Sequence, residues 1–486
     1  MLSVVVLIAG FSHLEAASEP AAGPRPRFVE AACDLPGIPP QLRPRLRCGT
    51  VSVPRDYTNP SSGSYKLALV AIQSLRHPSL PDPVVYISGG PGGPLTIFAG
   101  HQAAAPYAPQ RDLILVDQRG TGRSEPSLCP DRNNELLDAD IAVLGQHSKD
   151  ALAKRRAAYA ACRGEAVAHG IDMRDFGTRV TAEDYEWVRR ALGIDRWNVY
   201  GESYGTTVAM TLVALHPQHV RSVVLDSVYP PDPVPARSTL ATAARDAFFA
   251  YCAHDERCAA TVSDLAGTYR QTLDQLTSAP LAVTVPPEMH QTGNRVLLTA
   301  SLFQALINNL IYYPTYYPRL PRLIAAVHDG NSEALAAILG SVLAAFQQLN
   351  WALNVAVECR DRPHLHEPLP AGAQILGSAP LNDICESWSD VGPAPLVPTG
   401  SSVPTLVLAG EFDPVAGPTL SHHVARLIGD NARWIEFPRV GHNVRAFSAC
   451  GARIASDFID NPTRPIDASC VSEAAPIRFL PRAQTH

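Results

Sequence analysis

Residues 197–205 read Trp197-Asn198-Val199-Tyr200-Gly201-Glu202-Ser203-Tyr204-Gly205, and the helix-forming run Thr206 to Leu215 follows at once. A short β-branched and aromatic run that ends in Gly-x-Ser-x-Gly and passes directly into a helix is the sequence form of a sharp strand-to-helix turn. Such a turn lifts a serine oxygen clear of the sheet toward a base, without which a serine hydroxyl is a poor nucleophile. The glycines on either side keep neighbouring backbone from colliding in the strained turn. Alone, the pattern is weakly specific, because the chain carries 32 glycines in 486 residues. Its place between strand and helix makes Ser203 the candidate nucleophile.

A serine nucleophile needs a histidine base, and the base needs an acid that fixes its tautomer and stabilises its charged form. For a turn of this kind the expected chain order is serine, then acid, then histidine, the last two each following a late strand. Asp413 follows the apolar run Thr405 to Ala409, within Gly410-Glu411-Phe412-Asp413-Pro414, with Glu411 as the rival acid. His442 follows Trp434 to Phe437 in the loop Val440-Gly441-His442-Asn443, and this placement singles it out among 16 histidines. The negative charge of a tetrahedral intermediate also needs rigid donors, and backbone N–H groups carry no rotamer cost. Ser88-Gly89-Gly90-Pro91-Gly92-Gly93 follows a strand; Pro91 has no N–H, so Gly90 or Gly92 is the expected donor, with Tyr204 N–H as the second. The loop lacks the Gly-Lys-Ser/Thr ending of a phosphate loop. Asp117-Gln118-Arg119-Gly120-Thr121-Gly122-Arg123-Ser124 reads as a tight structural loop beside the site, since Pro126 intervenes before any helix.

Around these residues, short β-branched runs recur at Val51–Val53, Lys66–Gln73, Val84–Ser88, Leu113–Asp117, Asn198–Tyr200, Ser222–Asp226, Thr405–Ala409 and Trp434–Phe437. Helical patterns separate many of them, including Ala182–Leu192 and Leu420–Ile428, and the alternation predicts an α/β fold with a mainly parallel, doubly wound sheet. Residues 30–229 and 398–486 are expected to form that core. Residues 230–397 carry helical patterns at Thr239–Cys252, Thr299–Tyr312, Leu320–His328 and Ser332–Leu349 with few strand signals, which predicts an inserted helical lid over the sheet.

A net charge of −6 with no Lys/Arg cluster argues against nucleic acid or anionic membrane as partner and favours a peptide or small-molecule substrate. Leu2 to Phe11 is an apolar run followed by Ala16, Ala17 and Ser18, the form of a signal peptide over residues 1–18 and too short for a membrane span. Ten cysteines fall into close sequential pairs: Cys33 with Cys48, Cys129 with Cys162, Cys252 with Cys258, Cys359 with Cys385, and Cys450 with Cys470. An even count beside a signal-like segment reads as disulfides and a secreted or periplasmic location. With no Cys-x-x-Cys and no clustered Cys/His run, no metal is expected.

Together, Gly89-Gly90-Pro91-Gly92-Gly93, Asp117 to Ser124, Gly201-Glu202-Ser203-Tyr204-Gly205, the Asp413 turn and Gly441-His442 resemble the α/β-hydrolase superfamily, in its secreted proline iminopeptidase and tripeptidyl aminopeptidase branch. The resemblance covers most of the mature chain, and Cys450 to Cys470 is similar to the carboxyl-terminal segment of the tripeptidyl group. It implies an α/β-hydrolase fold and a serine aminopeptidase that releases one or a few residues from free amino ends, without cofactor. Ser88 departs from the histidine that iminopeptidases often carry there. An exopeptidase must bind the substrate ammonium, and Glu358 and Asp361 at the lid's return to the core, with Glu202 beside the nucleophile, are the candidate carboxylates. An esterase or small-molecule amidase with the same triad is the alternative reading.

Overall fold

In a computed structural model of the chain, residues 26–146, 148–231, 239–286, 295–362, 372–377, 381–388 and 391–481 are described. The expected signal segment, residues 1–18, lies outside the described residues.

The apolar runs become strands: β1 (Phe28–Ala31), β2 (Leu46–Pro54), β3 (Ser64–Ile72), β4 (Val84–Ile87), β5 (Leu113–Val116), β6 (Trp197–Glu202), β7 (Val220–Asp226), β8 (Leu281–Thr284), β9 (Arg295–Leu298), β10 (Thr405–Gly410) and β11 (Ala432–Phe437). Nine of them form one sheet in the order β1-β2-β3-β5-β4-β6-β7-β10-β11. From β5 to β11 every neighbouring pair is parallel, whereas β1, β2 and β3 join antiparallel. The parallel strands β4, β5 and β10 are buried along their whole length, as strands covered on both faces must be. The helices α1 (Thr178–Ala191) and α2 (Tyr204–Leu215) pack together beside β6, and α2 is buried over most of its length.

Two features differ from the sequence reading. Residues 28–31, which precede the first expected strand, form β1, a mostly exposed edge strand whose pairing with β2 comes from backbone hydrogen bonds rather than from an apolar face. The segment between β7 and β10 also holds the antiparallel hairpin β8-β9, whose strands are too short and too exposed to stand out as a periodic pattern.

That segment is otherwise helical, with α3 (Ala300–Tyr312) and α4 (Trp351–Asp361) the two helices that approach the site. The helical run expected from Ser332 to Leu349 ends at Phe346, and Asn350 restarts the chain as α4 by accepting the Leu353 N–H at 2.9 Å. The segment builds an apolar cluster of its own around Phe248, Leu306, Leu323 and Leu339, which Phe412 joins from the turn after β10. No single helix among the described residues is long and apolar enough to cross a membrane.

All five expected cysteine pairs are disulfides, with sequence separations of 15, 33, 6, 26 and 20 residues. Cys129–Cys162 ties the start of the segment after β5 to a long helix, and Cys359–Cys385 ties down α4.

Candidate active site

Ser203 sits between β6 and α2 with φ 55° and ψ −126°, a region in which a residue with a Cβ is strained. The turn holds because its neighbours leave no room for anything else. A Cβ at Gly201 would stand 2.6 Å from the Gly205 carbonyl oxygen, and one at Gly205 would stand 2.8 Å from that of Ser88. Ser203 donates its N–H to the Asp226 carbonyl at 3.0 Å, so the turn is tied to the end of β7.

Asp413 and His442 come together from the ends of β10 and β11. Asp413 Oδ2 lies 2.8 Å from His442 Nδ1, and Oδ1 accepts the Val415 and Ala416 N–H groups at 2.9 Å each. Both side chains are buried. Burial alone would raise the Asp413 pKa, but His442 and the two backbone donors outweigh it and hold the carboxyl below its ordinary range. For His442 burial opposes protonation, yet the Asp413 charge and hydrogen bond, with Glu202 and Asp226 further off, raise its pKa above 6.5. Glu411, the rival acid, accepts the Arg439 N–H at 2.8 Å and braces the loop instead.

What fixes the histidine loop was not foreseen from the sequence. The Asp226 carboxylate accepts the Val444 N–H at 2.8 Å, the Arg445 N–H at 3.0 Å and the Tyr200 hydroxyl at 2.7 Å. Ser227 Oγ accepts the Asn443 N–H at 2.9 Å. Asp226, which receives the Ser203 N–H, therefore also clamps residues 443–445 together with Ser227, so Ser203 and His442 share one anchor. Asp226 closes an apolar strand and carried no motif of its own; only the adjacency of β6, β7 and β10 reveals it.

The Gly89–Gly93 loop lies against Ser203, since a Cβ at Gly89 would meet Ser203 Cβ at 2.7 Å. Gln118 Nε2 donates to the Ser88 carbonyl at 3.0 Å, and Asp117 accepts N–H groups from Leu95, Thr96 and Arg123 at 2.7 to 2.9 Å. Arg119 is locked to Asp184 through two hydrogen bonds of 2.6 and 2.7 Å. Residues 117–119 thus act as the buried frame of this loop. From the other side, Asn350 N–H donates to the Gly92 carbonyl and Asn354 Nδ2 to that of Pro91, each at 3.0 Å.

Tyr312, the last residue of α3, was read only as part of a helical pattern. Its ring stacks on His442 with centroids 4.0 Å apart and planes at 19°. Its carbonyl accepts the His442 N–H at 2.9 Å. His442 Nε2 is buried without a hydrogen-bond partner among the described residues.

Of the three candidate carboxylates for a substrate amine, two are engaged inside the protein. Glu358 Oε1 pairs with the buried Arg362 at 2.7 Å, and that guanidinium stacks on Tyr229. Asp361 accepts the Thr178 N–H at 2.7 Å at the start of α1, and burial pushes its pKa up to about 6. Glu202 is half-buried, hydrogen-bonded by the Tyr86 hydroxyl, and its charge is felt by His442, Tyr312 and Tyr313. Elsewhere, Glu186, His216 and His219 bring three ligand-type atoms within 4.8 Å of one another. Glu186 is already held by two hydrogen bonds from Arg189 and one contact with His219, and His216 faces Glu183 at 3.1 Å, so these groups satisfy each other without an ion.

A family model described as the alpha/beta hydrolase fold matches residues 82–445, and the chain belongs to that family. Over 404 residues it is 27% identical to the tripeptidyl aminopeptidase of Streptomyces coelicolor, spanning 76% of this chain and 72% of the relative. Over 413 residues it is 25% identical to the serine protease Hip1 of Mycobacterium tuberculosis, spanning 76% of each. A solved proline iminopeptidase from Mycobacterium smegmatis aligns with 85% of this chain and 98% of its own at 14% identity, with a TM-score of 0.41. Family and relatives together make the chain a hydrolase similar to peptidases.

Proposed function

We propose that the chain is an exported serine aminopeptidase that works through an acyl-enzyme. The observation that carries this reading is the shared anchor: Asp226 receives the nucleophile turn and, with Ser227, the loop of a buried histidine paired with Asp413 at 2.8 Å. His442 Nε2 takes the proton of Ser203 Oγ as that oxygen bonds to the scissile carbonyl carbon, and the carbonyl π pair moves onto oxygen. Backbone N–H groups of Tyr204 and of Gly90 or Gly92 receive that charge; Gly90 is favoured because the Gly92 carbonyl is turned toward Asn350. The proton then passes from His442 to the leaving amine, and water resolves the ester by the same route. Glu202 is the proposed partner of the substrate ammonium, because it alone of the three carboxylates faces the catalytic groups. Five disulfides support export to an oxidising compartment.

The test is a panel of peptides with free and acetylated amino ends beside simple esters. Preference for the free amine supports the aminopeptidase, and rapid ester turnover without peptide cleavage replaces it by the esterase reading. Ser203→Ala should lower activity by about 10⁶-fold and abolish labelling by a fluorophosphonate. Glu202→Gln should weaken binding of free-amine peptides and leave acetylated ones unchanged.

A further inference from the structure

We infer that residues 473–481 form a strap that holds the insertion between β7 and β10 against the catalytic groups, with Phe479 as its positioning residue; the inference rests on the roles proposed above for Ser203, His442 and Asp413. The segment leaves the core just after Cys470, whose disulfide to Cys450 ties it to the helix Ala449–Asp460, and that helix packs on the sheet through Ile454 and Phe458. From Ala474 onward it is neither helix nor strand, so its place is set by what it touches. Arg439, in the loop before His442, donates to the Ala474 carbonyl at 2.5 Å and lies over the Tyr251 ring. The insertion grips the other end. The Tyr251 hydroxyl accepts the Ile477 N–H at 3.3 Å, the Pro318 carbonyl accepts the Leu480 N–H at 2.9 Å, and Thr261 Oγ1 donates to the Leu480 carbonyl at 3.1 Å.

Between these ties Phe479 is buried among rings drawn from three parts of the chain. It meets Phe248 and Tyr251 of the insertion with centroids 6.1 and 6.2 Å apart. Both of those meet Phe412, the residue before Asp413, at 5.7 and 6.2 Å. Phe412 also meets Tyr317 at 5.8 Å, and the Tyr317 hydroxyl donates to the Ile311 carbonyl at 2.7 Å. The Ile311 and Tyr312 carbonyls close over Gly441, where a Cβ would stand 2.8 and 2.6 Å from them. Phe479 therefore backs both the turn that presents Asp413 and the α3 end that receives His442. Close packing passes a displacement on rather than absorbing it, so removing this ring loosens the acid turn and the α3 end together.

Phe479→Ala removes the ring and leaves the hydrogen bonds of the strap. With an aminoacyl p-nitroanilide, kcat should fall about tenfold, since a full misplacement of about 1 Å costs roughly 100-fold, and KM should change by no more than about twofold. The acidic limb of kcat/KM should move to lower pH, because a looser Asp413 supports the charged form of His442 less, while Glu202 and Asp226 act as before. Amide hydrogen exchange should quicken at residues 313–318 and 412–416. Phe479→Leu keeps most of the buried volume and folds where the alanine variant does not; it should lower kcat about two- to threefold, with the limb shifted in the same sense. Wild-type kcat with an unmoved limb in either folded variant would overturn the inference, because the ring would then serve stability alone. Ser203→Ala is run in parallel: full hydrolysis by that variant would sink the nucleophile assignment itself, whatever the Phe479 variants do.

Discussion

Replacing Asp226 by asparagine tests whether the nucleophile and base depend on one anchor. Oδ1 accepts the Val444 N–H and the Ser227 hydroxyl, and Oδ2 accepts the Arg445 N–H and the Tyr200 hydroxyl. An amide keeps one acceptor oxygen and puts an NH₂ group in place of the other. The Ser227 or Tyr200 hydroxyl can rotate to accept from that NH₂, but a backbone N–H cannot, so either orientation leaves one buried donor facing another. Loss of one charge-assisted hydrogen bond and one unsatisfied buried N–H together cost about 2 to 4 kcal/mol. That is survivable against a typical total of about 5 to 15 kcal/mol, so the variant should still fold. The loop it loosens carries His442, where a misplacement of about 1 Å can lower the rate by roughly 100-fold. Urea unfolding should show the stability loss, and kcat should fall at least about tenfold. Removing the Asp226 charge also removes one of the influences that raise the His442 pKa, so the acidic limb of kcat/KM should move to lower pH. Stability within about 0.5 kcal/mol of wild type, with an unchanged pH profile, would refute the shared-anchor argument.

Other outcomes follow from the same geometry. As the proposed base His442 acts only when neutral, and its pKa is raised above 6.5, so kcat/KM of the wild type should fall as pH drops through a value above 6.5; in Asp413→Asn burial is left unopposed by its main partner and the limb should move to lower pH, with activity down about 10⁴-fold. Gly205→Ala would drive a methyl group into the Ile87 and Ser88 carbonyls, and should either fail to accumulate as folded protein or lose more than about 3 kcal/mol in denaturant unfolding. Replacing both Cys129 and Cys162 by serine opens a loop of 33 residues and should reduce stability by about 4 kcal/mol in the chain-entropy model, measured the same way.

The parallel strands were legible because burial on both faces leaves uninterrupted apolar runs, as in β4, β5 and β10. Asp413 stood out as a candidate for a related reason, since it follows the fully buried β10, whereas His442 follows the partly buried edge strand β11 and was picked out by its loop and by the chain order. What escaped was held by contacts between distant parts of the chain. Asp226 looks like the last residue of an ordinary strand until β6 and the His442 loop are placed beside it. Tyr312 fits the apolar stripe of a helix, and nothing in residues 300–312 shows that its ring ends over a histidine 130 positions later. The β8-β9 hairpin and β1 were missed because short, exposed strands draw on backbone pairing rather than periodicity.

The insertion between β7 and β10 is therefore more than a cover that selects substrates. Its α3 end meets His442 through ring and carbonyl, while Asn350 and Asn354 at α4 fix the loop that carries Gly90 and Gly92. The His442 loop and the Gly89–Gly93 loop are each gripped from the sheet by Asp226 and Gln118 and from the insertion by these residues. A rearrangement of the helices that admits a longer peptide would move the groups that hold His442 and the Gly89–Gly93 loop in place. Substrate length and catalytic rate should then change together: substitutions at Asn350 or Asn354, which touch no part of the Ser203–His442–Asp413 set, should alter kcat across a series of peptides and not only KM. Changes confined to KM would return the insertion to the role of a passive filter.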